Sequence, residues 1–560
     1  MKLLGKILLT LVLLLLLALV ALYLLLQTQW GAGWISRTVN QHTSYQLAFS
    51  KLEHNFSDPA QFVLNDVSFG QKAAPALLTA RHVTLTLSGA QFTAPGHFAA
   101  IALQEGMLRI SDSGSPLPFE ADRLQLIEMS VNRAGGEWPL SAQQVNGGIL
   151  PWKPVEGDLI GTDASFQASA GALSLNGIPA KNVLLQGRIS KQQLIMSNIG
   201  ADVALGSITT SAQRDAQGAW QVANLRLNSI RLQSSESLTG FLSPLKKLSH
   251  VHFNRIDVTG ARLEGADWAV TDLNLALKDI TLHNGDWESN DGSLSMNARS
   301  FVNGSLQLND PIVNMTFSPE GVSLNQLSSR WVNGLIRTSG KWSRSDKKLT
   351  LDELAVAGIE YTLPLNWRER WMATLPGWLS AVEVTKFEAN RNLIIDINPD
   401  FPFQMTALDG SGKNLLLARQ HQWGIWSGDL RFNAAEATFN RVDMRHPSIA
   451  LSANDEAIKV TEMSAFIQEG MAEGLATLSQ QPQRALSLTL RGREVPVNLL
   501  QRWGWPEVAL EGNGDLQLTL TGNLAADQPL KPTVNGRLSV TSGERTLQQT
   551  LQAGQPIAVP

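Results

Sequence analysis

Apolar residues two positions apart, with mostly polar residues between them, recur along almost the whole of this chain. Val83, Leu85 and Leu87 alternate with Thr84, Thr86 and Ser88. Leu225 and Leu227 precede Ile230 and Leu232, and Leu273, Leu275 and Leu277 lead to Ile280 and Leu282. Leu306 and Leu308 follow Gly304, and Leu516, Leu518 and Leu520 alternate with Gln517 and Thr519. Successive side chains of a strand point to opposite faces, so this pattern gives each strand one apolar and one wet face. A helix-covered parallel sheet would show continuous apolar runs instead. The chain is therefore expected to be mostly β: an elongated, mainly antiparallel array with a few short helices, its strands punctuated by Gly, Asn, Asp and Pro turns.

One stretch breaks the pattern. Residues 7–26, opened by Ile7 and closed by Leu26, carry no charge and are dominated by leucine. That is about the twenty residues an α-helix needs to cross a bilayer core. Lys2 and Lys6 precede it, and Arg37 is the first positive charge after it. The positive-inside rule places the short N-terminus in the cytoplasm and the rest of the chain across the membrane. A cleaved signal peptide would have a shorter apolar core ending in a small-x-small site, whereas here the run continues through Tyr23 to Leu26. An uncleaved anchor is expected. Trp30 and Trp34 follow it, with a short helix over 34–43 whose apolar side is Trp34, Ile35 and Val39.

Three further stretches read as helical: 237–248, 364–379 and 496–503. The last two share an order of residues, Pro364-Leu365-Asn366 with Arg370-Trp371 and Pro496-Val497-Asn498 with Arg502-Trp503. Proline suits a helix start, where its missing N–H would be unpaired anyway. These marks divide the chain into 1–6, the span 7–26, a first β segment 27–235, helix-plus-strand segments 236–363 and 364–494, and a C-terminal segment 495–560 with a polar, turn-rich tail after Thr546.

A search for chemistry finds little. The chain has no cysteine, which removes disulfides, thiol catalysis and thiolate metal sites. Its net charge of -4 is not that of a nucleic-acid binder. His250 and His252 share a strand face, but Asp257 is the one acidic residue close in sequence, so both read as solvated. Gly410-Ser411-Gly412-Lys413 lacks the first glycine of a phosphate loop, and Asn414 stands where Ser or Thr would hold magnesium. Gly512-Asn513-Gly514 reads as a hairpin turn. No G-x-S-x-G elbow and no H-E-x-x-H pair occurs. No catalytic, cofactor or metal residue is assigned, and an enzyme is not expected. The apolar face remains. Closed against a second sheet it is a sandwich core, the arrangement that alternation alone favours; left open it is a groove suited to acyl chains.

Several stretches carry a resemblance to a known family. They are Leu64-Asn65-Asp66-Val67-Ser68-Phe69, then Leu78-Thr79-Ala80-Arg81-His82-Val83-Thr84-Leu85, then Ile101-Ala102-Leu103-Gln104-Glu105-Gly106-Met107-Leu108-Arg109-Ile110. Near the other end come Val495-Pro496-Val497-Asn498-Leu499-Leu500 and Leu510-Glu511-Gly512-Asn513-Gly514-Asp515-Leu516-Gln517-Leu518. In this order, behind one N-terminal apolar helix, they resemble the AsmA family of Gram-negative envelope proteins. The resemblance implies a single-pass inner-membrane anchor, a periplasmic β region and kinship with bridge-like lipid-transfer proteins, whose sheets curl into a hydrophobic gutter. It implies that 27–235 begins chorein-like. Val83, Leu85, Leu87, Leu225, Leu227, Leu273, Leu275, Leu277, Leu306, Leu308, Leu516, Leu518 and Leu520 are then the candidates for the lining. The expected partners are the inner-membrane bilayer, phospholipid acyl chains and envelope proteins, with no cofactor and no nucleic acid. The expected role is support of phospholipid transport between inner and outer membrane. The alternative is a non-catalytic assembly factor acting on outer-membrane proteins through protein contacts.

Overall fold

A computed structural model describes residues 2–89, 93–110, 117–133, 139–155, 160–525 and 529–557, with side chains from Lys6 onward; the side chain of Lys2 lies outside the described residues. Helix α1 covers Lys2–Leu26 and α2 covers Gln29–His42. Within α1, Lys6–Leu26 is long and apolar enough to cross a membrane, and none of it is buried against protein. Thirty-six strands follow among the described residues. The chain divides into two compact units, residues 1–234, 241–264 and 278–286, and residues 235–240, 265–277 and 287–560.

In the first unit the ladder runs in chain order, each strand antiparallel to the one before, from Asp58–Gln71 to Trp220–Asn228. Two steps are parallel instead: His97–Arg109 onto Leu124–Arg133, and Trp220–Asn228 onto His250–Glu264. The second unit behaves alike, with one parallel step from Lys348–Ala357 to Ala381–Asp396 and an antiparallel run onward to Gln555–Ile557. Parallel neighbours need a crossover where antiparallel ones need a hairpin. Two of the three helical stretches are such crossovers. Residues 234–249 hold a helical turn, Leu238–Phe241, and a 3-10 turn, Ser243–Lys247; residues 363–380 hold Trp367–Met372. Both helices are shorter than the sequence led us to expect: Pro244 opens a separate 3-10 turn in one, and the other leaves helical geometry at Ala373, before Pro376-Gly377. The third stretch, around Leu499–Trp503, joins antiparallel strands and is a 3-10 turn. The tail after Thr546, read as polar and turn-rich, is mostly strand among its described residues. It completes a strand, Arg545–Gln552, and adds another, Gln555–Ile557, with Leu551 buried.

A sheet that curves can bury one of its own faces, and bulges supply curvature within each unit. Asp66, Glu128, Gln144, Asn182, Asp272, Asp279, Asn414 and Glu494 all take φ near +50° in mid-strand. Many mark a slip in pairing register, as at Asn182, Glu128, Asn414 and Glu494. Such bulges bend a strand and tighten its twist. The residue after each is buried: Val67, Met129, Val145, Val183, Leu273, Ile280, Leu415 and Val495. The bulge residue itself points outward, where Asp272 pairs with Arg299. This explains why the alternation changes phase between Leu277 and Ile280, and between Leu227 and Ile230, where Ser229 also has φ +53.

The first unit packs its inner face densely. Tyr45 stacks on Phe69, Phe69 meets Phe119, and Phe119 meets Trp152, at ring-centre distances of 5.2, 5.4 and 5.8 Å. Around this line one cluster takes in Leu64, Val83, Ile101, Leu124, Met129 and Val183.

A candidate apolar trough

In the second unit the sheet curls so that strands from Phe403–Arg419 to Arg545–Gln552 face a shared space of about 990 Å³. Its walls are Met405, Leu408, Phe432 and Phe439 on one side and Leu488, Leu490, Leu518 and Leu520 on another, with Met463 and Ile467 among the residues between. Among the described residues of the lining, Lys531 is the one formally charged side chain, and no carboxylate takes part. Asn433, Ser448, Ser464 and Gln555 add small neutral polar groups.

The 3-10 turn Leu499–Trp503 contributes Leu500 and Trp503 to the lining. Leu499 and Leu500 are buried below it. Gly504 ends the turn at φ +96, a left-handed conformation that glycine adopts without a Cβ clash, and its N–H bonds the Gln501 and Leu500 carbonyls. That reversal sets Trp503 and Trp505 into the trough wall. The Trp503 indole donates to the Phe439 carbonyl at 3.2 Å, and the Trp505 indole donates to Gln549 Oε1 at 2.9 Å. Trp505 can lie flat because Gly536 leaves room: a Cβ there would come within 3.0 Å of the indole.

Indoles serve the same purpose elsewhere. Trp268, Trp287, Trp342 and Trp426 donate to the carbonyls of Glu236, Ser318, Trp378 and Gln422. An indole is a large apolar ring with one donor and no acceptor. It can cover apolar surface and satisfy a carbonyl at once, which gives these five of the chain's 16 tryptophans, Trp503 included, a physical use.

The thirteen sequence candidates fall unevenly. Leu518 and Leu520 line the trough, and Leu516 is buried in the core beside it. Val83 and Leu85 belong to the packed cluster of the first unit, and Leu87 is half-buried on the same strand. Leu225 and Leu227 are half-buried on Trp220–Asn228. Leu273 is buried, Leu275 and Leu277 are half-buried, Leu308 is half-buried and Leu306 is exposed. Alternation located inward-facing positions but did not distinguish packed from open stretches. It missed Met405, Met444 and Met463, three of the 11 methionines, and the aromatic members Phe432, Phe439, Trp503 and Trp505. A methionine-aromatic bias on inward positions was the available signal, since unbranched methionine adapts to varied ligands. His250, flagged with His252, instead meets His283 edge to face at 5.6 Å, while His252 Nδ1 lies 2.8 Å from the Thr281 hydroxyl.

These features define a class: β-ladder proteins with one apolar N-terminal helix and an inward apolar trough. The comparisons with known proteins narrow it. The AsmA family model matches residues 184–544. The AsmA family protein YicH of Escherichia coli (strain K12) is 52% identical over 555 residues, covering 99% of this chain and 98% of its own. The chain belongs to the AsmA family. No solved structure matches it.

Proposed function

We propose that this is an inner-membrane protein, anchored by α1 with its β units in the periplasm, that takes lipid acyl chains into the trough and supports phospholipid movement between inner and outer membrane. The observation that carries the proposal is the lining: an apolar space of about 990 Å³ with, among the described residues, no carboxylate and one lysine. That volume is at the upper end of small-molecule sites, which run from about 300 to 1,000 Å³. Each methylene withdrawn from water contributes about 0.8 kcal/mol, so a partly inserted acyl chain is held without any specific hydrogen bond. A ligand held this way slides, because successive positions along an aliphatic wall are nearly equal in energy. Lysine-only charge favours an anionic head over a cationic one. The family and the spanning length of α1 support the cellular setting.

The test uses the full chain in cells, with a photo-activated crosslinking residue placed singly at Met463 or Leu518, which line the trough, and at Gln517, which is exposed on the same strand as Leu518. Phospholipid adducts at the two lining positions and not at Gln517 are expected. Protein adducts alone at Met463 and Leu518 overturn the lipid reading and favour the assembly-factor alternative.

A further inference from the structure

The strands Lys51–Asn55 and Asp58–Gln71 form a hairpin whose tip carries Phe56, 78% exposed. This ring has company in α1. Its centre lies 5.0 Å from that of Tyr23. The Tyr23 hydroxyl is 2.7 Å from His54 Nδ1, and the two rings meet edge to face at 5.6 Å. His54 in turn stacks on Phe62 at 4.6 Å, and its Nε2 lies 3.2 Å from the Pro59 carbonyl. A carbonyl accepts and cannot donate, so a proton on Nε2 faces Pro59, and Nδ1 faces the tyrosine hydroxyl. The hairpin is thus fastened to the helix through the His54 ring, which gives the tyrosine hydroxyl a partner in a site of low polarity.

The depth of Tyr23 matters. It lies inside the segment Lys6–Leu26, three residues before its end. At 1.5 Å per residue that is about 4.5 Å along the axis. A side chain packed on Tyr23 therefore lies at the edge of the hydrocarbon layer whenever α1 spans a bilayer. At that level an exposed phenyl ring faces lipid, and its apparent exposure is not a cost. Trp30 and Trp34, 55% and 50% exposed and one turn apart on α2, offer the same chemistry nearby in sequence.

We propose that the hairpin tip is a membrane foot: Phe56, fastened beside Tyr23 through His54, is embedded in the interfacial layer of the bilayer that α1 crosses. The first strands of the ladder then start at the lipid surface, in a fixed orientation to α1, and do not hang from a free tether. The partner is the lipid bilayer itself. The proposal rests on α1 spanning a membrane and is independent of what the trough binds.

The chain has no cysteine, so single cysteines can be placed cleanly. Full-length chains carrying Val20→Cys, Ser57→Cys or Leu205→Cys are labelled with an environment-sensitive fluorophore and reconstituted into phosphatidylethanolamine–phosphatidylglycerol vesicles with brominated acyl chains. Ser57→Cys keeps Phe56 in place; Leu205 is a turn residue 88% exposed. Bromolipid is expected to quench the labels at Val20 and Ser57 several-fold more than the label at Leu205, and aqueous iodide is expected to reverse that order. Quenching at Val20 with Ser57 behaving like Leu205 overturns the foot while leaving the span intact. Quenching at neither overturns both the span and the foot. A Phe56→Ser change added to Ser57→Cys is expected to release the tip and lower its lipid quenching several-fold; unchanged quenching overturns the role of Phe56.

Discussion

Residues 364–378 and 496–505 carry the same order of residues and end in opposite surroundings. Both run Pro-apolar-Asn, then Arg-Trp, then Gly-Trp. In the second, Val497, Leu499, Leu500 and Trp505 are 1%, 2%, 4% and 8% exposed. In the first, Leu365, Trp371 and Trp378 are 69%, 46% and 59% exposed. The cause is the strands that each segment joins. Pro496 pairs with Asn513 across an antiparallel step, so the ends to be joined are adjacent and the loop can fold down over the trough. Residues 363–380 must instead travel the length of the strand Ala381–Asp396: the Leu363 N–H bonds the Ile395 carbonyl at one end, and the Ser380 N–H bonds the Lys347 carbonyl at the other. Sixteen residues of strand are about 50 Å long. A chain stretched over that distance cannot turn all its apolar side chains inward. It is pinned at points, by Trp367 to the buried Asp396 at 3.0 Å, by Trp371 stacking on Trp423, and by Leu379 in a small cluster with Val382 and Ala418. Topology, not local sequence, decides which copy becomes a core.

The comparison is broken most severely by a charge. Val497→Asp would bury a carboxylate with no partner in the wall of the C-terminal core, a cost of several kcal/mol. Loss of amide protection across 485–523 is expected in hydrogen exchange. The matching change, Leu365→Asp, is expected to leave the exchange pattern of 381–396 unchanged. Equal effects at the two sites would mean that the 364–378 segment is as buried as its counterpart. Next in size is Leu500→Ala, expected to cost about 2–5 kcal/mol as a large-to-small change at a packed site. It should be read as earlier proteolysis of the 485–557 region during a denaturant series.

How far this was legible in the sequence follows from the same contrast. Alternation is a local property, and it marked strands from Val83 to Leu520, with Leu306 exposed on its strand. The phase changes between Leu227 and Ile230 and between Leu277 and Ile280 were visible, but their cause was not. Asp279 and Ser229 are ordinary turn residues in sequence, and it takes the ladder to show Asp279 as a bulge within a continuous strand and Ser229 in a break between Trp220–Asn228 and Arg231–Gln233. Whether an inward leucine is packed or borders a trough depends on which strands lie across from it, a relation between residues far apart in the chain. Hence Val83 and Leu518 look alike on paper and both are buried in packed clusters, yet only Leu518 also borders the trough. The tail was read as polar and turn-rich for a related reason. Gln548, Gln549 and Gln552 hide the alternation of Leu547 and Leu551, which a neighbouring strand makes plain.

The bulge before the buried copy offers a smaller, sharper test. Glu494 has φ +53, its N–H is 3.2 Å from Asp515 Oδ1, and the register slips there so that Val495 is buried. A left-handed conformation costs a residue with a Cβ about 1–2 kcal/mol, and a β-branched side chain more than most. Glu494→Val is expected to destabilise the C-terminal region by about 1–2 kcal/mol relative to Glu494→Gly, which removes the clash. The pair isolates backbone strain from the loss of the carboxylate, since both variants lack it. If valine and glycine behave alike, the bulge is not what presents the 496–505 segment to the core.

The smallest effect is expected at the exposed copy. Trp378 is 59% exposed, and what the structure uses of it is its backbone: the Trp378 carbonyl accepts the Trp342 indole N–H at 3.1 Å. Trp378→Ser keeps that carbonyl and removes a ring that is mostly in water. A surface substitution away from packed features usually lies within about 0.5 kcal/mol of neutral. Trp342→Phe, by contrast, removes the donor and leaves the ring volume largely in place, at a net cost of about 1 kcal/mol for a lost hydrogen bond. Unfolding midpoints should therefore order wild type and Trp378→Ser together, with Trp342→Phe below them. The reverse order would mean that the Trp378 ring is buried by something in the working protein, and that this segment too is a core, completed by a partner.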